Sequence, residues 1–103
     1  MNDENMTTIM GIIMESGNAK GFASQAIKEA KKSEFSKAAE LINSAKESLT
    51  KVHNIQTALL TKEANGENTE INLYMVHAQD WLMTSICYID LADEFINIYK
   101  KIN

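Results

Sequence analysis

The chain has 103 residues, no proline and a formal net charge of −4, and this length fits a single domain over residues 1–103. All ten basic residues are lysines and they form no basic stripe, so we expect no nucleic-acid partner. No apolar run approaches the roughly 18 residues that a membrane helix needs, so we expect no direct membrane insertion.

The first predicted helix covers residues 7–32. Gly17 and its neighbours Ala19 and Ala23 leave the middle of this helix thin, so that another helix can approach closely there or a pocket can form. Its buried face is predicted from apolar and small residues spaced by threes and fours: Ile9, Ile12, Ile13, Ser16, Ala19, Ala23, Ile27 and Ala30.

The second predicted helix covers residues 34–64, with Ser33 as its N-cap and Asn65-Gly66 as the signal that ends it. The Lys and Glu residues fall off its apolar stripe and indicate a solvated face. The stripe keeps a seven-residue spacing through Phe35, Ala38, Ile42, Ala45, Leu49, Val52, Gln56 and Leu59.

The third predicted helix covers residues 69–101, with Thr69 as its N-cap and two lysines in its last turn. Both connections between helices are short, so neighbouring helices should be antiparallel. The sequence therefore predicts an all-α fold, an antiparallel three-helix bundle.

The third helix carries more apolar surface than one chain can bury. One stripe would face the other two helices: Ile71, Met75, Ala78, Leu82, Ser85, Ile89, Ala92, Ile96 and Tyr99. A second stripe consists of Leu73, Val76, Asp80, Met83, Cys87, Leu91 and Ile98, and a third of Tyr74, His77, Trp81, Thr84, Tyr88 and Phe95. In so small a protein the extra cover must come from other copies of the chain, so we infer a homo-oligomer with the third helices at its centre.

Asp80 interrupts the second stripe, and an unpaired buried carboxylate is costly. If this stripe faces a symmetry axis, several copies of Asp80 would converge and would have to share protons or hold a hard divalent cation. A solvent-facing aspartate in a wet groove, or one bonded to a neighbouring subunit, explains the same pattern.

His77 lies about 60° around the helix from Asp80, next to Trp81 and Thr84. It fits an interface histidine whose nitrogens are hydrogen-bonded to neighbouring groups. It also fits a nucleophile, because neutral imidazole attacks well near pH 7. In the second case Thr84 and Gln79 could offer neutral hydrogen bonds.

These residues resemble those of the lactose/cellobiose (chitobiose) type of enzyme IIA component of the bacterial sugar phosphotransferase system. The resemblance runs from about Met6 to Lys101 and is strongest in Val76-His77-Ala78-Gln79-Asp80, followed by Leu82-Met83-Thr84. The segments Gly17-Asn18-Ala19-Lys20, Ile55-Gln56-Thr57 and Glu63-Ala64-Asn65-Gly66-Glu67 also match.

The resemblance implies a cytoplasmic homotrimer of three-helix protomers. In it, His77 would accept a phosphoryl group from the histidine phosphocarrier protein and pass it to a cysteine of the IIB component during uptake of a β-linked disaccharide. Gln79 would be a lesser candidate for orienting the transferred group. Asp80 would lie near the threefold axis, where a divalent metal such as Mg²⁺ can bind.

Three residues depart from the family pattern. Trp81 stands where these proteins usually have a second histidine, one turn from His77. Gly21 stands where a serine is common, and Lys20 replaces the usual arginine. Tryptophan offers one neutral N–H and more bulk, so phosphoryl stability, transfer rate or partner fit could differ. A regulatory or scaffold paralogue that keeps the trimer but is impaired in transfer is the alternative function.

Overall fold

The computed structural model describes residues 3–103, which form three helices: α1 (Asp3–Lys31), α2 (Phe35–Ala64) and α3 (Leu73–Ile102). The helices run up, down and up, and the connections between them are short. The predicted all-α three-helix bundle is therefore confirmed. None of these helices has the length and apolar character needed to cross a membrane.

α1 begins four residues earlier than the predicted residue 7 and ends in a Schellman turn. Glu34 N–H donates to Glu29 O (2.9 Å) and Ser33 N–H donates to Ala30 O (3.0 Å). Ser33 has a φ of 63°, so it is the left-handed residue after α1 and not the N-cap of α2. That prediction was wrong: Glu34 occupies the N-cap position without a side-chain cap bond.

α2 ends in the same type of turn, with Glu67 N–H donating to Lys62 O (2.9 Å) and Gly66 N–H donating to Glu63 O (3.1 Å). Gly66 has a φ of 85°, which glycine adopts without steric cost. The predicted stop at Asn65-Gly66 is confirmed.

α3 begins at Leu73, four residues after the predicted start. Its N-cap is Asn72, whose side chain accepts a hydrogen bond from Met75 N–H (3.0 Å). Thr69 is therefore not the cap. Ile71 lies outside the helix and is exposed, so it does not belong to the buried stripe as predicted.

Apart from Ile71 and a half-buried Tyr99, the predicted inner stripe of α3 is buried from Met75 to Ile96. The core consists of two apolar clusters along the bundle, one around Ile12, Val52 and Leu82 and the other around Ile42, Ile89 and several alanines. One buried serine of each helix lies between them in sequence: Ser16, Ser48 and Ser85.

The second stripe of α3 is exposed throughout in a single chain. Its apolar members Leu73, Val76, Met83, Leu91 and Ile98 each keep more than half of their surface accessible. An apolar band along the whole helix is more than a small monomer usually exposes. This face is the one that the sequence predicts at the centre of an oligomer.

Candidate functional site

His77 lies in the second turn of α3, where the Asn72 cap fixes the start of the helix. Its side chain is exposed, and among residues 3–103 neither ring nitrogen has a hydrogen-bond partner. A nitrogen lone pair of the imidazole is therefore accessible to a reacting group brought by another protein. The rigid helix holds the ring in a defined place, which favours efficient transfer chemistry.

Trp81 lies one turn after His77 and packs beside it. The ring centroids are 6.5 Å apart and the two planes differ by 18°, an offset stacked arrangement. Thr84, one turn further along, uses its hydroxyl proton within the helix, donating to Asp80 O (3.0 Å) and Trp81 O (3.2 Å). The hydroxyl proton of Thr84, which the sequence offered as a neutral hydrogen bond near His77, is thus used within α3 in this structure.

α1 contributes a cation and a gap to the same site. The Nζ of Lys20 lies 4.3 Å from the centre of the Trp81 ring and 5.5 Å from that of Tyr88. A Cβ built on Gly17 would lie 3.5 Å from Trp81 Nε1, so the indole sits against bare backbone. The predicted thin region of α1 is filled by Trp81, which is half-buried.

Gln79 faces a different neighbour. Its Oε1 accepts a hydrogen bond from Gln56 Nε2 of α2 (2.8 Å), and its Nε2 contacts the sulfur of Met75 (3.6 Å). Residues two apart in a helix point in different directions, so Gln79 and His77 of one chain are not brought together. Because a thioether is a weak hydrogen-bond acceptor, the Gln79 Nε2–H groups stay available to a stronger acceptor.

Asp80 is exposed on the apolar second stripe, between Val76 and Met83. Among the residues that the structure describes, no three His, Cys, Asp or Glu side chains of one chain are grouped to hold a metal ion. One carboxylate from a single chain cannot enclose a divalent cation, which takes six or more oxygen ligands. A metal at Asp80 would need carboxylates from other copies.

Comparisons with known proteins show the family of the chain. The family model for the lactose/cellobiose-specific IIA subunit of the phosphotransferase system (PTS) matches residues 7–100. The chain belongs to this family. The cellobiose-specific EIIA component of Lactococcus lactis is 53% identical over 100 residues, covering 97% of this chain and 86% of the relative.

Solved structures of IIA proteins show the same fold. The cellobiose-specific enzyme IIA of Bacillus anthracis superposes with a TM-score of 0.95 at 41% identity, covering 99% of this chain and 94% of the other. The IIA(chitobiose) protein of Escherichia coli, solved in complex with HPr, gives 0.84 at 33% identity and 98% coverage of both chains. As a PTS IIA protein, this chain is a phosphotransferase component.

Sequence reasoning placed His77 and Trp81 of this IIA protein on one face, and the structure brings them together. It noted Lys20 only as a departure from the family pattern and did not connect it with the site. The spacing gave one available signal: the residues three and four positions from Lys20, namely Ser16, Gly17, Ala23 and Ser24, include no acid. A lysine that has no acidic residue one turn away on its own helix can contact side chains of a neighbouring helix.

Proposed function

We propose that the chain is a phosphocarrier that accepts a phosphoryl group on His77 and passes it to a cysteine of a IIB component. The observation that carries this proposal is the exposed imidazole on the N-terminal half of α3, with neither nitrogen engaged by the described part of the chain. Family membership adds the reaction class, because IIA subunits are components of a phosphoryl-transfer system.

The donor would be the histidine phosphocarrier protein, HPr. A similar E. coli IIA protein has been solved in complex with HPr, which supports a protein donor of this kind. A neutral nitrogen of His77 attacks the phosphorus in line, a new N–P bond forms, and the N–P bond of the donor histidine breaks with its electron pair returning to that ring. Since like bonds are exchanged, the proteins mainly position the two rings and exclude water.

Docking would use the surface around His77. Tyr74 of α3 is an exposed aromatic residue beside it, and such residues are suited to the centre of a protein interface. The second transfer would deliver the phosphoryl group to a thiolate of the IIB component. The transported sugar would be a β-linked disaccharide such as cellobiose or chitobiose, and the chain would work in the cytoplasm.

The proposal includes a homotrimer with the α3 helices at its centre. Its support is the band of exposed apolar residues along the second stripe of α3, which another copy of the chain would cover. In such a trimer three Asp80 carboxylates would meet at the axis. Their oxygen atoms fit a hard divalent cation such as Mg²⁺. Gln79 is the lesser candidate for orienting the transferred phosphoryl group, through its Nε2–H groups.

The test is incubation with phosphoenolpyruvate, enzyme I and HPr, followed by intact-protein mass spectrometry. We expect a gain of about 80 Da, the mass of one phosphoryl group, that disappears in His77→Ala and persists in His53→Ala. His53 is the matched control, since it is the second histidine of the chain and is also exposed. A folded wild-type protein that takes up no label would favour the alternative, a scaffold paralogue in which Trp81 has ended transfer.

A further inference from the structure

Lys20 has an unusual environment for a lysine. Its ammonium lies over two aromatic rings of α3, at 4.3 Å from the centre of Trp81 and 5.5 Å from that of Tyr88. The side chain is half-buried, so the methylene stem is covered while the charge lies at the edge of the site. α1 therefore places one positive charge against the ring that stacks on His77.

Among the side chains that the structure describes, this ammonium has no anionic partner. The ion pairs among the described side chains are Lys32–Glu29 and Lys46–Asp93, and both lie away from this site. On α1, the positions one turn before and after Lys20 hold serine, glycine and alanine. On α3, the face that Lys20 meets carries aromatic side chains. A cation that is only stacked on aromatic rings retains most of its capacity to pair with an anion.

We propose that Lys20 is the charge partner of the phosphoryl group on His77 and that Trp81 holds its ammonium in readiness. This inference rests on the proposed function of His77. Phosphorylation brings close to two negative charges to the ring. Asp80, the charged residue nearest to His77 in the sequence of α3, is also negative. Lys20 supplies the opposite charge from the adjacent helix.

The geometry allows the Lys20 ammonium to move from the Trp81 ring to a phosphoryl group on His77. Trp81 Nε1 lies against Gly17, so the indole reaches across to α1 and bridges Lys20 to His77. Lys20 Nζ lies 4.3 Å from the Trp81 ring centre, and that centre lies 6.5 Å from the His77 ring centre, so Nζ is within about 11 Å of the His77 ring in any arrangement of the three groups. The phosphoryl oxygens project outward from the ring, and the four-carbon lysine stem can swing to meet them.

Trp81 stands where the family resemblance implies a second histidine, so the positive charge at the site has to come from another residue. A protonated imidazole at that position could donate a charged hydrogen bond to the phosphoryl group, whereas the indole has one neutral N–H and carries no charge. Lys20 on the face of Trp81 supplies the positive charge that the indole cannot carry. The aromatic ring and the lysine thus act as a unit in this chain.

The test compares Lys20→Met, which keeps the stem and removes the charge, with Lys20→Arg, which keeps both charge and stacking. Lys28→Met is the matched control, two turns further along the same helix and exposed. The rate of transfer from phosphorylated HPr should fall about tenfold in Lys20→Met, less than for a fully buried donor because this site is partly open. It should stay within about twofold of wild type in Lys20→Arg and Lys28→Met.

A second readout excludes a merely structural effect. Each variant is phosphorylated chemically with phosphoramidate, and the phosphorus NMR signal of the His77 phosphoryl group is followed against pH, with His77→Ala identifying any signal from His53. Because a nearby cation favours the dianion, the phosphoryl group of Lys20→Met should take up the proton that converts the dianion to the monoanion at a pH higher by about half a unit or more. Circular dichroism checks the fold, and Lys20→Gln replaces Lys20→Met if that variant does not fold.

The outcomes separate the two proposals. Suppose that the wild type takes up the label but Lys20→Met matches Lys28→Met in both the rate of transfer from HPr and the titration of the phosphoryl group. That result overturns the role of Lys20 and leaves the proposed function standing. A wild-type protein that accepts no phosphoryl group from HPr overturns the proposed function and this inference together. A slow Lys20→Met variant rescued by arginine, with the shifted titration, is the result we expect.

Discussion

Gly17 is the position at which α1 meets the indole of Trp81, and replacing it with alanine tests that contact quantitatively. A Cβ there would lie 3.5 Å from Trp81 Nε1, an ordinary van der Waals distance that displaces nothing. Glycine inside a helix costs about 0.5–1 kcal/mol relative to alanine. We therefore expect Gly17→Ala to stabilise the protein by about that amount, a rise of roughly 2–8 °C in Tm for a domain of this size.

Gly21→Ala is the matched control, one turn along the same helix, where a Cβ would have nothing within 4 Å. The two variants should gain similar stability. Gly17→Leu should behave differently, because its further carbon atoms would run into the indole and displace it at a cost of about 1–3 kcal/mol. The single tryptophan of the chain then reports the displacement through its fluorescence.

The assay is thermal unfolding followed by circular dichroism at one protein concentration, since the Tm of an oligomer depends on concentration. The emission maximum of Trp81 should be nearly unchanged in Gly17→Ala and shifted in Gly17→Leu. A fall in Tm for Gly17→Ala alongside a rise for Gly21→Ala would refute the reasoning. It would mean that the indole lies closer to the backbone of α1 than the structure places it.

Four further changes test individual contacts. Ser33→Gly should raise the free energy of unfolding by about 1 kcal/mol in urea titrations, because serine adopts a left-handed φ there; a loss would show that the exposed Asn103–Ser33 hydrogen bond matters more. Asn72→Ala should lower it by about 1 kcal/mol and speed amide exchange at Met75, whereas unchanged exchange would argue against the cap. Ser85→Ala should be neutral or stabilising by up to about 1 kcal/mol, since the buried hydroxyl has no partner among the described residues, and a clear loss of stability would reveal one. Asp80→Leu should abolish the Mg²⁺ binding proposed for the trimer axis, as followed by calorimetry, and leave the proposed trimer intact in sedimentation experiments; dissociation into monomers would make the metal essential to assembly.

The buried faces could be predicted because they follow from helical periodicity alone. Ala78, Leu82 and Ile89 recur at the spacing that places them on one side of α3, and all three are buried. The exposed second stripe follows from the same arithmetic. Such patterns depend on residues within one helix, which is the information that a sequence carries most directly.

The helix ends were predicted less well, because several residues compete for the same cap. Ser33 and Thr69 are good N-cap residues by type, but the chain uses Ser33 in a left-handed turn and caps α3 with Asn72. The residue that becomes the N-cap of a helix depends on how far the preceding turn extends along the chain. That length is set by packing between helices and not by local preference.

The contacts between helices lay beyond the reach of sequence reasoning. Lys20 meets Trp81, and Gln56 meets Gln79, only because α1 and α2 lie at particular rotations and offsets against α3. The small residues around Gly17 predict that another helix can approach α1 closely there or that a pocket can form. They do not specify which side chain fills the space. The charge at the site is therefore a result of the three-dimensional structure.

The most direct test of the central claim is a complete relay measured in one reaction. The chain is phosphorylated through HPr, purified, and mixed with the matching IIB component, and the phosphoryl group is followed on both proteins by mass spectrometry. We predict that the label leaves His77 and appears on a cysteine of IIB, and that His77→Ala transfers nothing. Label that stays on the chain, or that is never acquired by a folded wild-type protein, would contradict the account.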